Sequence, residues 1–531
     1  MEFDYVVVGA GSGGCALAGR LAERCPQARV ALLEAGRETD RNLFVNVPLG
    51  FAAVVPFKTA LNWAYETAGQ AGFGGRRGYQ PRGRGLGGSS AINAQIYTRG
   101  HPLDYDEWAA LGCTGWSWQD VLPYFIRAEG NARGADAWHG AEGPLGVADL
   151  HSVSPFSRYF LEAAQQAGYP YNADFNGAEQ EGVGLYQLTQ RDGKRCSAAQ
   201  AYVYGRPQAN LTVLSQTQAR RVVFEGRRAI GVEVERQGRC DVIRARCEVV
   251  MAAGAFGTPQ LLMCSGVGPA AHLQAHGVAV VHDAPGVGAN LQDHIDIAFN
   301  KKVASTALVG YSLRGGVHML GQAWKYMRRR EGLFSSNAVE AGGFLKSTPA
   351  LARPDLQLHF CVGIVDDHSR KFHWGHGYAL HVCLLRPKSR GSVMLAGPDA
   401  RTAPLIDPGF LSHADDLEDL LRGAKLSRAI LEAPALAAHG GRELYTHSGM
   451  SDDELREAIR RHADTIYHPI GTCRMGDDAG AVVDPQLRVR GVERLRVADA
   501  SVMPTLPGAN TNAPTIMIGE RAAEWLARAH T

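Results

Sequence analysis

FDYVVVGAGSGGCALAGRLAERCPQARVALLEAG, residues 3 to 36, is the stretch whose reading decides the fold. Tyr5 to Val8 is an apolar run, a glycine-rich turn follows, CALAGRLAE has helical character, and Val30 to Leu33 is apolar again. Strand, tight turn, helix, strand is one βαβ unit. Gly9, Gly11 and Gly14 satisfy G-x-G-x-x-G in the context that motif needs, directly after a strand and opening a helix. Glycines there let a pyrophosphate approach the backbone, and unsatisfied N–H groups at the helix start, around Ser12, favour an anion. Twenty residues after Gly14, Glu34 ends the second strand, where a carboxylate can accept from a ribose hydroxyl. A bound dinucleotide is expected; FAD and NAD both fit this fingerprint.

Further along, RRVVF, RAIGVEVER and CDVIRARCEVVMAA lie between about Ala219 and Ala253, separated by short turns at Glu225-Gly226 and Gln237-Gly238. They read as an antiparallel meander. A helix is expected next, with Thr258 as N-cap, Pro259 as its first residue and Gly266 as its stop. A late strand, residues 494 to 500, precedes a Pro/Gly/Asn-rich loop and a final helix from about Thr515 to Ala529. These three pieces read as one cofactor domain. Residues 300 to 455 carry no cofactor signature and read as a substrate domain; no internal repeat or low-complexity segment is visible.

Composition narrows the function. The 531 residues carry a net charge of +2, which argues against a nucleic-acid partner. Ten cysteines run from Cys15 to Cys473 without a C-x-x-C pair, a pattern of reduced thiols rather than a disulfide framework or zinc site. No apolar run of about 18 residues occurs, and MEFDYVVVG lacks a signal-peptide pattern. The expected location is cytoplasmic, with peripheral contact on the cytoplasmic membrane face left open.

Five ordered blocks carry a resemblance: PRGRGLGGSSAIN (81 to 93), GAFGTPQLLMCSGVG (254 to 268), GVGANLQDH (286 to 294), HPIGTCRMG and NTNAPT. From end to end the chain resembles the glucose-methanol-choline (GMC) oxidoreductases, and within them the bacterial membrane-associated alkanol dehydrogenases and the choline dehydrogenases. The resemblance implies an α/β fold: a split Rossmann-like FAD-binding domain with a second substrate domain built on an antiparallel β-sheet with helices. The expected division is 1–155, 195–300 and 456–531 for the FAD domain, and 156–194 and 301–455 for the substrate domain. It further implies that Gly88, Ser89, Asn93, Ala94 and Ile96 lie along the pyrophosphate and flavin, that the Ala219 backbone holds the adenine, and that Asp499, Ala500, Pro514 and Thr515 complete the pocket. On the residues alone, Ser89 and Asn93 could cap a helix and Asp499 could end a strand. Some relatives attach the flavin to a histidine just before the asparagine of the GGSS block; Ile92 stands there, so the FAD is expected to be noncovalent.

Hydride removal from an alcohol carbon needs a base for the hydroxyl proton beside the flavin, and histidine suits that task. By resemblance His468 is the catalytic base and Asn512 the residue that orients the alkoxide, the hydride passing to flavin N5 and leaving an aldehyde. Asn512 also reads as a helix cap. A primary, medium- to long-chain aliphatic alcohol is the expected substrate and a quinone-type acceptor the expected oxidant. Choline dehydrogenation, aryl or furanic alcohol oxidation with oxygen, and non-redox cyanohydrin cleavage are the alternatives. No metal is expected. His368, His373, His376 and His381, with Asp366 and Asp367, read more plainly as a polar loop than as a metal site, and KYMRRR (325 to 330) reads as a solvated helix face before a membrane contact. The sequence shows no quaternary interface.

Overall fold

The protein is described here by a computed structural model covering residues 1–530. Its first sheet follows from the opening βαβ unit. Glu2–Val8 pairs in parallel with Val30–Leu33 on one side and Arg239–Met251 on the other. Leu211–Leu214 and Leu495–Val497 add parallel strands at either flank. Val6, Val7 and Val8 are buried, as a parallel strand covered on both faces requires. Thr217–Glu225, Arg228–Arg236 and Arg239–Met251 form the antiparallel meander that their alternation predicts. N-terminal, middle and C-terminal pieces thus share one sheet, and the Ser12–Arg24 helix packs on the final helix, Asn512–His530.

The second sheet is antiparallel, in the order Arg442–Glu443, Ile295–Lys302, Gly375–Leu384, Leu356–Cys361, Val339–Leu345, Gly182–Leu185. Helices Pro155–Gln166, Ala414–Glu432 and Asp452–His462 cover its outer face around a separate apolar core. This sheet takes the whole of Ile295–Lys302, so it begins before residue 301. It also recovers Asp464–Thr465, which pairs with Ile295 and Asp296, so it extends past residue 455.

Four local expectations need correction. The middle helix spans Gly254–Cys264, so Pro259 lies inside it and Thr258 is not its N-cap. A proline there leaves the Ala255 carbonyl without its helical donor. Thr472 supplies one, its Oγ1 donating to that carbonyl at 2.7 Å. The last helix begins at Asn512 rather than Thr515; Pro514 sits in the first turn, where no N–H is needed. The late strand is only Leu495–Val497. The histidines of 368 to 381 do not share one loop either, because His376 and His381 stand on the strand Gly375–Leu384. Among the described residues no group of three or more His, Cys, Asp or Glu is placed to hold a metal ion, and no helix is long and apolar enough to cross a membrane.

Candidate active site

One large cavity lies between the sheets, running from Glu34 and Ala219 past the glycine turn to His468. Gly9, Gly11, Ser12 and Gly13 line it at the N-terminus of the first helix. Gly9 holds φ +104°, and a Cβ there would lie 2.4 Å from the Ala252 carbonyl oxygen. Gly14 does not reach the cavity: its Cβ would come within 1.9 Å of the Gly9 carbonyl oxygen, so this third glycine serves helix-to-strand packing. A second turn, Gly88–Ala91, presses on the first, a Cβ on Gly88 meeting the Gly11 Cα at 2.7 Å. At Gly9 and Gly88 backbone stands where a Cβ would go, whereas at Gly11 the nearest such atom, the Ala252 carbonyl oxygen, is 3.9 Å away.

The polar groups around it are already oriented. Glu34 accepts from the backbone N–H of Ala10, Gly36 and Gly85 at 3.1, 2.8 and 2.9 Å. Burial raises its pKa and those amides oppose the rise. Asp499 accepts from Gly254 N (2.9 Å), Thr258 Oγ1 (2.6 Å) and Ser501 N (2.8 Å). Ser89 Oγ accepts from Gly83 N at 3.1 Å, and Asn93 Oδ1 accepts from Arg195 Nη1 at 2.6 Å. Ser89, Asn93, Ala94 and Ile96 line the cavity, as do Ala219, Asp499, Ala500 and Thr515. Pro514 does not; it stands in the first turn of the last helix.

The cavity suits a flavin dinucleotide on two structural counts. The glycine cradle matches a pyrophosphate, and Asn512 Nδ2 is a buried donor without a protein partner. Asn512 Oδ1 accepts from Ser12 Oγ at 2.7 Å, which leaves the amide nitrogen for a group in the cavity. Ile92 lines the same cavity and offers no nucleophile.

At the other end His468 is buried, and the chain enters it through Tyr467 at φ 75°, an unusual conformation for a bulky residue. Asp293 fixes the turn: its Oδ1 accepts from His468 N at 2.8 Å and its Oδ2 from Thr465 Oγ1 at 2.6 Å. Burial lifts the Asp293 pKa to about 6. His468 Nδ1 lies 3.0 Å from His294 Nδ1, and His294 Nε2 lies 3.1 Å from the Leu385 carbonyl oxygen. His468 Nε2 lies 3.2 Å from Asn510 Nδ2.

One proton assignment satisfies the chain. His294 donates from Nε2 to Leu385, His468 donates from Nδ1 to His294, and the Asn510 amide donates to His468 Nε2. Asn510 is held in that orientation because its Oδ1 accepts from Thr98 Oγ1 and Gln357 Nε2, each at 3.0 Å. Burial, then the neighbouring His294, His359 and Arg82, pushes His468 well below the ordinary histidine value. His468 is therefore a neutral base with its lone pair on Nε2.

The structure brings Asn510, not Asn512, to His468. The two asparagines sit two residues apart on the lead into a helix, and the helix start turns Asn512 back toward Ser12. Sequence reading also missed His294, although it closes the GVGANLQDH block, because nothing local shows that a residue so far along the chain touches His468.

Residues 3–296 and 387–519 match the two GMC oxidoreductase family models. The chain belongs to the GMC oxidoreductase family. The GMC chain is 46% identical to an alcohol dehydrogenase [acceptor] of Pseudomonas putida, over 99% of its own length and 96% of the relative's. It is 43% identical to the mitochondrial choline dehydrogenase of Homo sapiens over 98% of this chain and 89% of that one. Among solved structures it resembles pyridoxine 4-oxidase of "Mesorbium loti" (TM-score 0.87, 34% identity, 100% and 99% of the two chains). It also resembles formate oxidase of Aspergillus oryzae, studied for FAD modification (TM-score 0.91, 26% identity, 100% and 98%). The match to these structures agrees with the two-sheet architecture described above.

Proposed function

We propose that this GMC oxidoreductase is an FAD-dependent dehydrogenase of primary alcohols, acting on medium- to long-chain aliphatic substrates and passing electrons to a quinone-type acceptor. The observation that carries the reading is the neutral His468, its Nε2 shared with the Asn510 amide, at the end of a cavity shaped for a dinucleotide. Bound FAD would supply the hydride acceptor. Gly9, Gly11, Ser12, Gly88 and Ser89 would hold its pyrophosphate, Glu34 and Ala219 its adenosine half, and Asp499, Ala500, Asn512 and Thr515 its flavin half, without a covalent link at Ile92. His468 Nε2 takes the hydroxyl proton and Asn510 Nδ2 donates to the oxygen as its charge develops. His294 keeps the proton on His468 Nδ1, and the fixed Asn510 amide needs no reorganisation.

Apolar walls support an aliphatic substrate: Leu49, Phe51, Val55, Val309, Ile364 and Val365 line the cavity. A quaternary ammonium would want open ring faces. Of the aromatic side chains lining the cavity, Phe51, Trp63, Tyr65, Phe256 and Tyr467, two already meet a cation: Arg84 lies 4.6 Å over Trp63 and Arg82 lies 6.0 Å over Phe256. His381, pulled down by burial, is nonetheless raised to about 10 by Asp296, which adds a positive charge to the same cavity. The ten free cysteines suit a reducing compartment such as the cytoplasm. The test compares kcat/KM for 1-octanol, choline and benzyl alcohol, with a soluble quinone and with oxygen. Octanol with quinone is expected to be fastest; a choline preference, or equal turnover with oxygen, contradicts the substrate or the acceptor respectively.

A further inference from the structure

The sheet face over the cavity carries three side chains to which alcohol oxidation assigns no step. His359 and His381 stand directly opposite one another on neighbouring antiparallel strands. Cys361 lies two residues on from His359, on the same face and diagonal to His381, within reach of its ring. All three line the cavity. Asp296, on the strand at the other side of His381, accepts through Oδ2 from His381 Nδ1 at 2.5 Å. Across three adjacent strands the order is therefore carboxylate, imidazole, thiol.

Both imidazoles have nitrogens without a protein partner. Neither ring nitrogen of His359 makes a hydrogen bond, nor does His381 Nε2, and the two residues are only 2% and 7% exposed. Burial would strip His381 of its charge, but Asp296 and Cys361 more than offset it and raise the imidazole to about 10. Its Nε2 thus carries a hydrogen that finds no acceptor within the protein. A buried donor left open to a cavity is a place for a ligand atom. Among the described residues Cys361 is the one cysteine that lines the cavity. Cys15, Cys113 and Cys264 lie elsewhere, and burial pushes their thiols up to about 12, 12 and 11, which makes them inert.

We infer that Cys361 is a nucleophilic thiol that captures α,β-unsaturated aldehydes in the substrate cavity, with His381 Nε2 as the donor to the aldehyde oxygen. A thiol beside an imidazole that a carboxylate orients is the arrangement of an activated cysteine. The addition balances within the site. The Cys361 sulfur forms a bond to the β carbon, the carbon–carbon π pair shifts toward the carbonyl, and the thiol proton ends on the α carbon. The product is a thioether aldehyde, and no electrons enter or leave. Negative charge builds on the carbonyl oxygen during the step, where the His381 N–H can meet it. Ile364 and Val365, which follow Cys361 along the chain, also line the cavity and give an apolar tail its wall. Oxidation of an allylic alcohol would generate such an aldehyde in place, a source that rests on the function proposed above, whereas the capture itself does not.

Incubating the flavin-loaded full-length protein with 2-octenal, fixing the adduct with borohydride and reading it by peptide mass spectrometry tests the inference. One adduct is expected on Cys361, forming about tenfold faster than on the exposed Cys240. Cys361→Ser should lose that adduct with its flavin retained. His381→Gln should slow the capture about tenfold, although the denatured variant is labelled as fully as denatured wild type. If the unpaired Asp296 costs that variant its fold, D296N/H381Q carries the same expectation. Supplying 2-octen-1-ol and a soluble quinone in place of the aldehyde separates the two readings. An adduct that forms from the added aldehyde but not from the alcohol supports the capture and counts against oxidation of apolar primary alcohols. The inference is overturned if the added aldehyde leaves Cys361 unmodified, if Cys240 is labelled first, or if the folded His381 variant reacts as fast as wild type.

Discussion

At the Gly9–Gly14 end the cavity is walled by backbone, whereas at the His468 end it is walled by side chains from separate segments, His359, His468 and Asn510, with His294 and Gln357 hydrogen-bonded behind them. The first wall is rigid because carbonyl oxygens stand where a Cβ would go, so its tolerance is set by sterics. The second wall is a hydrogen-bonded chain in which each proton position depends on the next donor, so its tolerance is set by chemistry. A substitution at one end should therefore change whether the cofactor stays; at the other it should change what the bound cofactor can do.

The largest effect should come at the backbone end. Gly14→Ala puts a methyl group 1.9 Å from a carbonyl oxygen with no flexible neighbour to yield. The variant is expected to lose flavin almost completely or to fail to fold, read as the visible absorbance per protein after purification. A yellow protein of normal stability would break the contrast between the two walls.

The two asparagines sharpen it. Asn510→Ala removes the amide that meets His468 Nε2, and the anaerobic rate of flavin reduction should fall about 10²-fold with flavin content unchanged. Asn512→Ala removes the donor turned into the cavity, and flavin should dissociate more readily while the rate in the loaded fraction stays within about tenfold. The reverse pattern would return the catalytic role to Asn512. A smaller loss, about tenfold, is expected for His294→Leu, with rescue in His294→Gln, whose carbonyl can accept from His468 Nδ1.

The smallest effect is on stability. Burial holds His294 and His359 near a pKa of about 3, and holds His468 well below its ordinary value. The unfolded chain binds their protons below about pH 6.5, so the folded state loses stability as pH falls from there toward 3. His381 has the opposite sign: raised to about 10, its contribution is present below pH 6.5 and is lost as pH rises through 10. The Tm of the flavin-loaded protein should therefore fall on both sides of neutrality, and His359→Phe should reduce the acid slope. A Tm flat between pH 7 and about 5 would mean these imidazoles are not held neutral.

The same contrast explains what the sequence could say. The backbone-walled end was legible because close approach demands glycine at fixed spacing, and Gly9, Gly11 and Glu34 stand where that spacing puts them. Gly14 belongs to the same spacing and was expected at the cofactor, but it lies outside the cavity, and its packing role follows only from the Gly9 carbonyl that a Cβ would meet. The two cavity-lining histidines of the second sheet were not legible, since His359 and His381 face each other only through strand register, and a histidine on a buried strand carries no local mark. His468 was found through its block, yet its two partners depend on where the chain turns: the helix starts at Asn512, three residues earlier than periodicity suggested, and that start separates Asn510 from Asn512.

Mixing the flavin-loaded protein with 1-octanol in the absence of oxygen, and following the visible absorbance by stopped flow in wild type and His468→Ala, tests the central claim most directly. Rapid bleaching in wild type, slowed about 10²- to 10⁴-fold in the variant with flavin content intact, is the result predicted for His468 as the base. Equal bleaching in both, or none in wild type with any alcohol, would contradict it.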